Sequence, residues 1–131
     1  MLDIIDHGRI REIRLQRPPV NALDPELVLA LRDSLREAAD EAGAVILSGR
    51  EGMFSAGLDV PALLQLDRNA MQEFWSGFST LLETIGCMPV PTVAAITGHS
   101  PAGGAVMALF CDYRIMSRGP YKIGLNETRV G

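Results

Sequence analysis

The sequence predicts an α/β domain built around a mostly parallel sheet. Three observations predict it. Two short apolar runs, "AVILSG" (44–49) and "TVAAITG" (92–98), read as strands buried on both faces, as in parallel sheets. Each is followed by a glycine-containing turn, "FSAGLD" (54–59) or "SPAGGAV" (100–106). Segments with apolar residues at helical spacing separate the strand-like runs.

Taken in order, "GRIREIRL" (8–15) alternates Ile13 and Leu15 with Glu12 and Arg14, the pattern of a strand with one wet face. "RPPVNALD" (17–24) is a proline-marked loop leading to Asp24 as N-cap and Pro25 at the first helical position. Leu27, Leu31 and Leu35, then Ala38 or Ala39 and Ala42, recur at helical spacing, with Arg32, Arg36 and Glu37 on the other side and Gly43 closing the helix. After the 44–49 strand, residues 50–60 read as a loop. Asp67 or Asn69 starts a second long helix that runs to about Gly86 and buries Phe74, Phe78, Leu81, Leu82 and Ile85. The strand at 92–98 leads through "HSPAGG" into an apolar helix, and "CDYRIMS" and "YKIGL" read as short strands around an "RGP" turn. No linker divides the chain, so residues 1–131 form one domain.

Composition narrows the function. A net charge of −4 with scattered charges and no basic block argues against a nucleic-acid surface or a polybasic membrane anchor. The N-terminal "MLDIIDHGRI" lacks the basic and apolar regions of a signal peptide, and no apolar run approaches the length of a membrane span. A cytoplasmic protein is expected. Cys87 and Cys111 sit among apolar residues in no metal-like spacing and read as buried free thiols. No metal site is expected.

The chemistry is expected in the two glycine turns. In open α/β sheets ligands collect at the carboxyl ends of strands, where loops and helix N-termini expose unpaired N–H groups. Small residues such as Ala56, Gly57, Gly103 and Gly104 let a ligand come close to the backbone. Taken alone, each loop reads as a tight turn, and Glu127 in "IGLNETRVG" (123–131) reads as an exposed loop acid.

The combination is more specific. "RPPVNALD", "FSAGLDV", "ITGHSPAGGAVMALFCDYRIMS" and "IGLNETRVG", in this order, resemble the enoyl-CoA hydratase/isomerase (crotonase) superfamily, and "PAGG…CDYRI…GLNET" resembles its Δ3,Δ2-enoyl-CoA isomerases of fatty-acid β-oxidation. The resemblance implies a crotonase-like spiral of ββα units, of which this chain carries the N-terminal core without the usual C-terminal helical region. In the family that region covers the acyl pocket and makes the trimer contacts, so its apolar partner surface is expected to be covered by a partner segment or by identical chains, as in the family's trimers and hexamers.

The same resemblance assigns residues. The N–H groups of Ala56 and Gly103 would form an oxyanion hole for a thioester carbonyl, Gly103 adding the positive end of a helix. Ala56, Gly57, Leu58, Asp59 and Val60 match the segment that binds CoA and the acyl group, and Val20, Asn21 and Ala22 match an earlier CoA-contacting loop, with Arg17 a candidate phosphate contact. Family hydratases use two glutamates, the first three residues after the oxyanion glycine. That position is Val106 here, and the second carboxylate is Glu127. One carboxylate suits an isomerase, with Glu127 shuttling a proton and Asn126 contacting substrate or orienting Glu127. Coenzyme A enters as part of the substrate, and no separate cofactor is implied. Hydration or another crotonase-type reaction, or acyl-CoA binding without turnover, are the alternatives. The apolar neighbours Val106, Met107, Ile123 and Leu125 are expected to desolvate Glu127 and raise its pKa. His99 is expected to pack or hydrogen-bond near its loop, and Asp112 to be tied to backbone.

Overall fold

The computed structural model describes residues 1–130. Strand β1 (Leu2–His7) pairs antiparallel with β2 (Ile10–Leu15). Helix α1 (Pro25–Glu41) follows, then β3 (Ala44–Ser48), the two-residue β4 (Gly52–Met53), a short α2 (Val60–Leu63) and the long α3 (Arg68–Gly86). The chain continues through β5 (Thr92–Ile96), β6 (Gly98–Pro101), α4 (Gly103–Phe110), β7 (Tyr113–Met116), β8 (Ile123–Gly124) and α5 (Glu127–Val130).

The order contains a repeated unit. After β1–β2–α1, each turn of the chain lays one strand in a five-stranded sheet, one short strand in a three-stranded sheet, and then a helix. The large sheet has the order β1-β2-β3-β5-β7 and the small one β4-β6-β8, with every pairing after the first hairpin parallel. Each turn therefore advances both sheets by one strand, which is the expected α/β spiral of ββα units. The sequence predicts loop at β4 and part of a turn at β6, because two to four residues of Gly, Met, Ser, His and Pro carry no strand periodicity. β1 was not anticipated either; Asp3 and Asp6 interrupt the alternation in an edge strand.

Both long helices form as the spacing predicts. Asp24 accepts from the Leu27 N–H at 2.8 Å to cap α1, with Pro25 in the first turn, and Asp67 caps α3 through the Ala70 N–H at 2.8 Å. Leu27, Leu31, Leu35 and Ala38 of α1 and Phe74, Phe78, Leu81 and Ile85 of α3 join Ile13, Leu15, Val45, Leu47, Ala94 and Ile96 from the sheet in one core. Leu82 is only half-buried, and Ala42 caps α1 rather than extending it.

The large sheet departs from expectation on its other face. Val45 and Leu47 of β3 are buried, but Ile46 is half-open, as are Val93 and Ala95 of β5, and Tyr113 and Ile115 of β7 are 70% and 67% exposed. The apolar runs predict burial on both sides; in the described residues one face joins the core shared with α1, α3 and α4. Cys87 is likewise exposed rather than buried, because it lies at the C-cap of α3 beyond the packed stripe. Cys111 is buried as expected, and burial pushes its thiol up to about 11.

Asp112 ties β5 to the turn before β7. The Thr92 N–H and hydroxyl donate to its carboxylate at 2.8 and 3.0 Å, and the Asp112 N–H donates to Thr92 Oγ1 at 3.0 Å. The backbone donor first, then the hydroxyl, hold the carboxyl below its ordinary 3.8. A group whose pKa is lowered on folding stabilises the fold above its unfolded pKa and loses that contribution as pH falls through the folded one. Asp112→Asn is therefore expected to be less stable than the parent near neutrality, with the gap closing below pH 3.8. Urea unfolding across pH measures this; a gap independent of pH would place the effect elsewhere.

Candidate active site

The site begins at Gly57. Its φ of +88° lies in the region open to glycine, and a Cβ there would stand 2.7 Å from the Gly103 nitrogen. The turn after β4 and the N-terminus of α4 can meet this closely only because both residues lack side chains. Gly57 breaks the extended run, so the N–H groups on either side of it find different surroundings. The Ala56 N–H donates to the Val20 carbonyl at 2.9 Å. Beyond Gly57, the Leu23 N–H donates to the Gly57 carbonyl and the Asp59 N–H to the Leu23 carbonyl, a parallel bridge that turns the Leu58 N–H to the opposite side.

That geometry corrects the sequence assignment of the donors. The Ala56 N–H is already satisfied, so it is not the group waiting for a ligand. Among the described residues the Leu58 N–H has no acceptor, and neither has the Gly103 N–H in the first turn of α4, where none is available within the helix. The two are neighbours: a Cβ on Gly103 would lie 3.4 Å from the Leu58 nitrogen. The signal for Leu58 was present in the sequence as the residue after a turn glycine, but the pairing of Leu23 with Leu58 that aims it comes from tertiary structure.

Both residues border a cavity of about 400 Å³. Val60 of α2 and Trp75 and Phe78 of α3 form one wall, Pro101 to Gly103 and Val106 another, with Asn126 and Glu127 at the start of α5. The cavity thus gathers Ala56, Leu58, Val60, Gly103, Asn126 and Glu127 of the expected residues. Val106 lines it as well, so the position three after Gly103 presents an isopropyl group to the site.

The other assigned residues are engaged within the chain. Asn21 is fully buried, donating to the carbonyls of Leu15 (3.1 Å) and Phe54 (3.0 Å) and accepting from the Arg17 N–H (2.8 Å); its side chain fastens the loop to β2 and cannot meet a ligand. Asp59 accepts from the Ala62 N–H to cap α2 and pairs with Arg17 at 2.9 Å. Arg17 also pairs with Asp24, the α1 cap, at 2.8 Å and donates to the Ala22 carbonyl. Two carboxylates thus compensate the guanidinium expected to meet a phosphate. Val20 and Ala22 contribute carbonyls to these links and lie outside the cavity wall. Gly57 stands behind the donors. Ser55, passed over in the sequence, is the buttress: its hydroxyl donates to the Asn21 carbonyl at 2.8 Å and accepts from the Gly57 N–H at 3.1 Å.

Glu127 is exposed, as are Ile123 and Leu125, and Met107 is fully buried in the core instead of facing it. Of the four apolar neighbours expected to surround it, only Val106 lines the cavity with Glu127. His99 accepts the Lys122 N–H at Nδ1 (3.1 Å) and packs edge-on against Tyr121, a local role as expected. Among the described residues no three His, Cys, Asp or Glu side chains gather as metal ligands, and no helix is long and apolar enough to cross a membrane.

An α/β spiral whose apolar pocket carries two unpaired backbone N–H groups defines a class, and comparison with known proteins identifies it. The family model for enoyl-CoA hydratase/isomerase matches residues 6–131, and the chain belongs to that family. It is 36% identical over 126 residues to the mitochondrial enoyl-CoA delta isomerase 1 of Rattus norvegicus, covering 93% of this chain and 44% of the relative. It is 33% identical over 127 residues to the peroxisomal bifunctional enzyme of Homo sapiens, covering 95% of this chain and 17% of that one. The crystal structure of human mitochondrial delta3-delta2-enoyl-CoA isomerase superposes with a TM-score of 0.94 at 35% identity, covering 99% of this chain and 53% of that chain. An enoyl-CoA hydratase from Bacillus anthracis gives 0.91 at 27% identity, covering 99% and 52%. The chain thus spans about half the length, or less, of these relatives.

Proposed function

We propose that the protein is a Δ3,Δ2-enoyl-CoA isomerase of fatty-acid β-oxidation, moving the double bond of a 3-enoyl-CoA to the 2-trans position. The observation that carries this is one carboxylate, Glu127, on a cavity that also holds two unpaired N–H groups and has Val106 where a second carboxylate would stand. The thioester oxygen accepts from the Leu58 and Gly103 N–H groups. Glu127 takes a proton from the α carbon, the electron pair moves onto the thioester oxygen as a dienolate, and the two donors stabilise that charge where it develops. The carboxylic acid so formed returns the proton at the γ carbon, the electrons fall back, and the 2-enoyl thioester leaves with Glu127 ionised again. Water takes no part. Asn126, beside Glu127 on the same wall, orients the carboxylate or the substrate.

Coenzyme A is carried by the substrate and no separate cofactor is needed. Identical chains assemble as a trimer or hexamer, with neither nucleic acid nor membrane as partner, and the protein acts in the cytoplasm, whereas the names of the mammalian relatives place those proteins in mitochondria or peroxisomes.

The test is the ratio of two reactions. In the intact protein, isomerisation of a 3-enoyl-CoA is expected to exceed hydration of the 2-trans isomer, because Val106 can neither hold nor deprotonate water. Hydration running faster would replace the isomerase assignment with a hydratase, and acyl-CoA binding without either reaction would reduce the protein to a binding module.

A further inference from the structure

Trp75 is the only tryptophan in the 131 residues, and proton transfer gives it no part. It stands on α3 between Phe74 and Phe78, both buried in the core, yet it is itself 48% exposed. It is held firmly all the same. The Phe74 ring lies 5.7 Å away at 69° and the Phe78 ring 6.2 Å away at 74°, both edge-to-face arrangements that fix the indole in one orientation. A single exposed apolar ring means little on a protein surface. This one forms, with Phe78, the α3 wall of the cavity that holds the Leu58 and Gly103 donors and Glu127. Phe78 is only 7% exposed, so the accessible aromatic surface on that wall is Trp75's. The polar side chains of the cavity, Asn126 and Glu127, come from the start of α5 and the residue before it, which leaves the α3 wall to an apolar part of the ligand.

Resting on the acyl-thioester assignment of this cavity, we propose that Trp75 is a specificity-determining residue that selects straight aliphatic acyl chains long enough to lie across the indole, against short ones. The pinned ring loses little freedom on binding, so the methylenes covering it contribute nearly their full transfer energy. Each methylene taken from water tightens binding about fourfold at most.

The experiment compares butanoyl-CoA with octanoyl-CoA, binding measured by calorimetry on the intact protein and on Trp75→Ala and Trp75→Phe. In the parent, octanoyl-CoA is expected to bind about ten- to a hundredfold tighter than butanoyl-CoA. Trp75→Ala is expected to shrink that ratio to about fivefold or less, and Trp75→Phe to keep most of it. The emission that distinguishes the parent from Trp75→Phe is expected to shift to the blue with octanoyl-CoA and not with free CoA. Melting curves confirm that each variant is folded; if the Ala variant is not, the emission shift decides. An unchanged ratio in folded Trp75→Ala, or emission indifferent to octanoyl-CoA, overturns the proposal. The two assignments fail separately: a chain-length ratio that depends on Trp75 without isomerisation sinks the isomerase and leaves Trp75, while isomerisation with an unchanged ratio does the reverse. A folded parent that binds neither thioester overturns both.

Discussion

Glu127→Gln is expected to lower isomerisation of a 3-enoyl-CoA by at least two orders of magnitude while leaving acyl-CoA affinity nearly unchanged. The amide keeps the size of the side chain and much of its hydrogen bonding but cannot accept the α proton, and one positioned acid–base group is typically worth about 10²–10⁴-fold. Solvent deuterium should enter the α carbon more slowly by a similar factor, because in the proposed mechanism the same carboxylate carries that proton. Single-turnover isomerisation and mass-spectrometric exchange on the intact protein measure the two. A Gln variant that keeps both would remove Glu127 from the reaction and leave it an exposed acid at the start of α5.

The second large effect is expected at Gly57, where one methyl group acts on both donors. Gly57→Ala introduces a Cβ at φ +88° and 2.7 Å from the Gly103 nitrogen. The backbone strain alone costs about 1–3 kcal/mol of stability. The methyl also pushes the first turn of α4 away from Leu58, so the two N–H groups no longer converge on one oxygen. Loss of one oxyanion donor costs roughly 10²–10³ in turnover, and a fall of that order is expected here. Turnover corrected for the folded fraction separates the two contributions. If the corrected rate matches the parent, the close approach of Gly57 and Gly103 serves packing only.

Much of the fold was legible before the structure. Asp24 and Asp67 cap the helices they were read to start, and the apolar stripe from Leu27 to Ala38 faces the core because its spacing is that of a helix. The ββα repeat was not visible in the residues themselves. β4 and β6 owe their existence to parallel pairing with each other and with β8, partners far away in the chain, and strands of two to four residues have no periodicity to read. The wet outer face of β3, β5 and β7 was misjudged for a related reason: an apolar run shows which residues tolerate burial but not how many layers cover them.

The candidate site divides in the same way. Residue type and spacing alone gave the two glycine turns at strand ends and the isolated carboxylate Glu127; the family resemblance gave Glu127 its role and drew notice to the valine at 106. Which backbone group is available to a ligand was decided by tertiary structure. Val20 satisfies the Ala56 N–H, the bridge to Leu23 turns the Leu58 N–H the other way, and Gly57 beside Gly103 brings that donor to its partner. The same holds for Asn21, Arg17 and Asp59, for which the resemblance implies ligand contacts but whose side-chain partners are other parts of the chain. Side-chain chemistry travels with the residue and can be read in sequence. The direction of an N–H, and whether a charge is already compensated, depend on what the fold places opposite it.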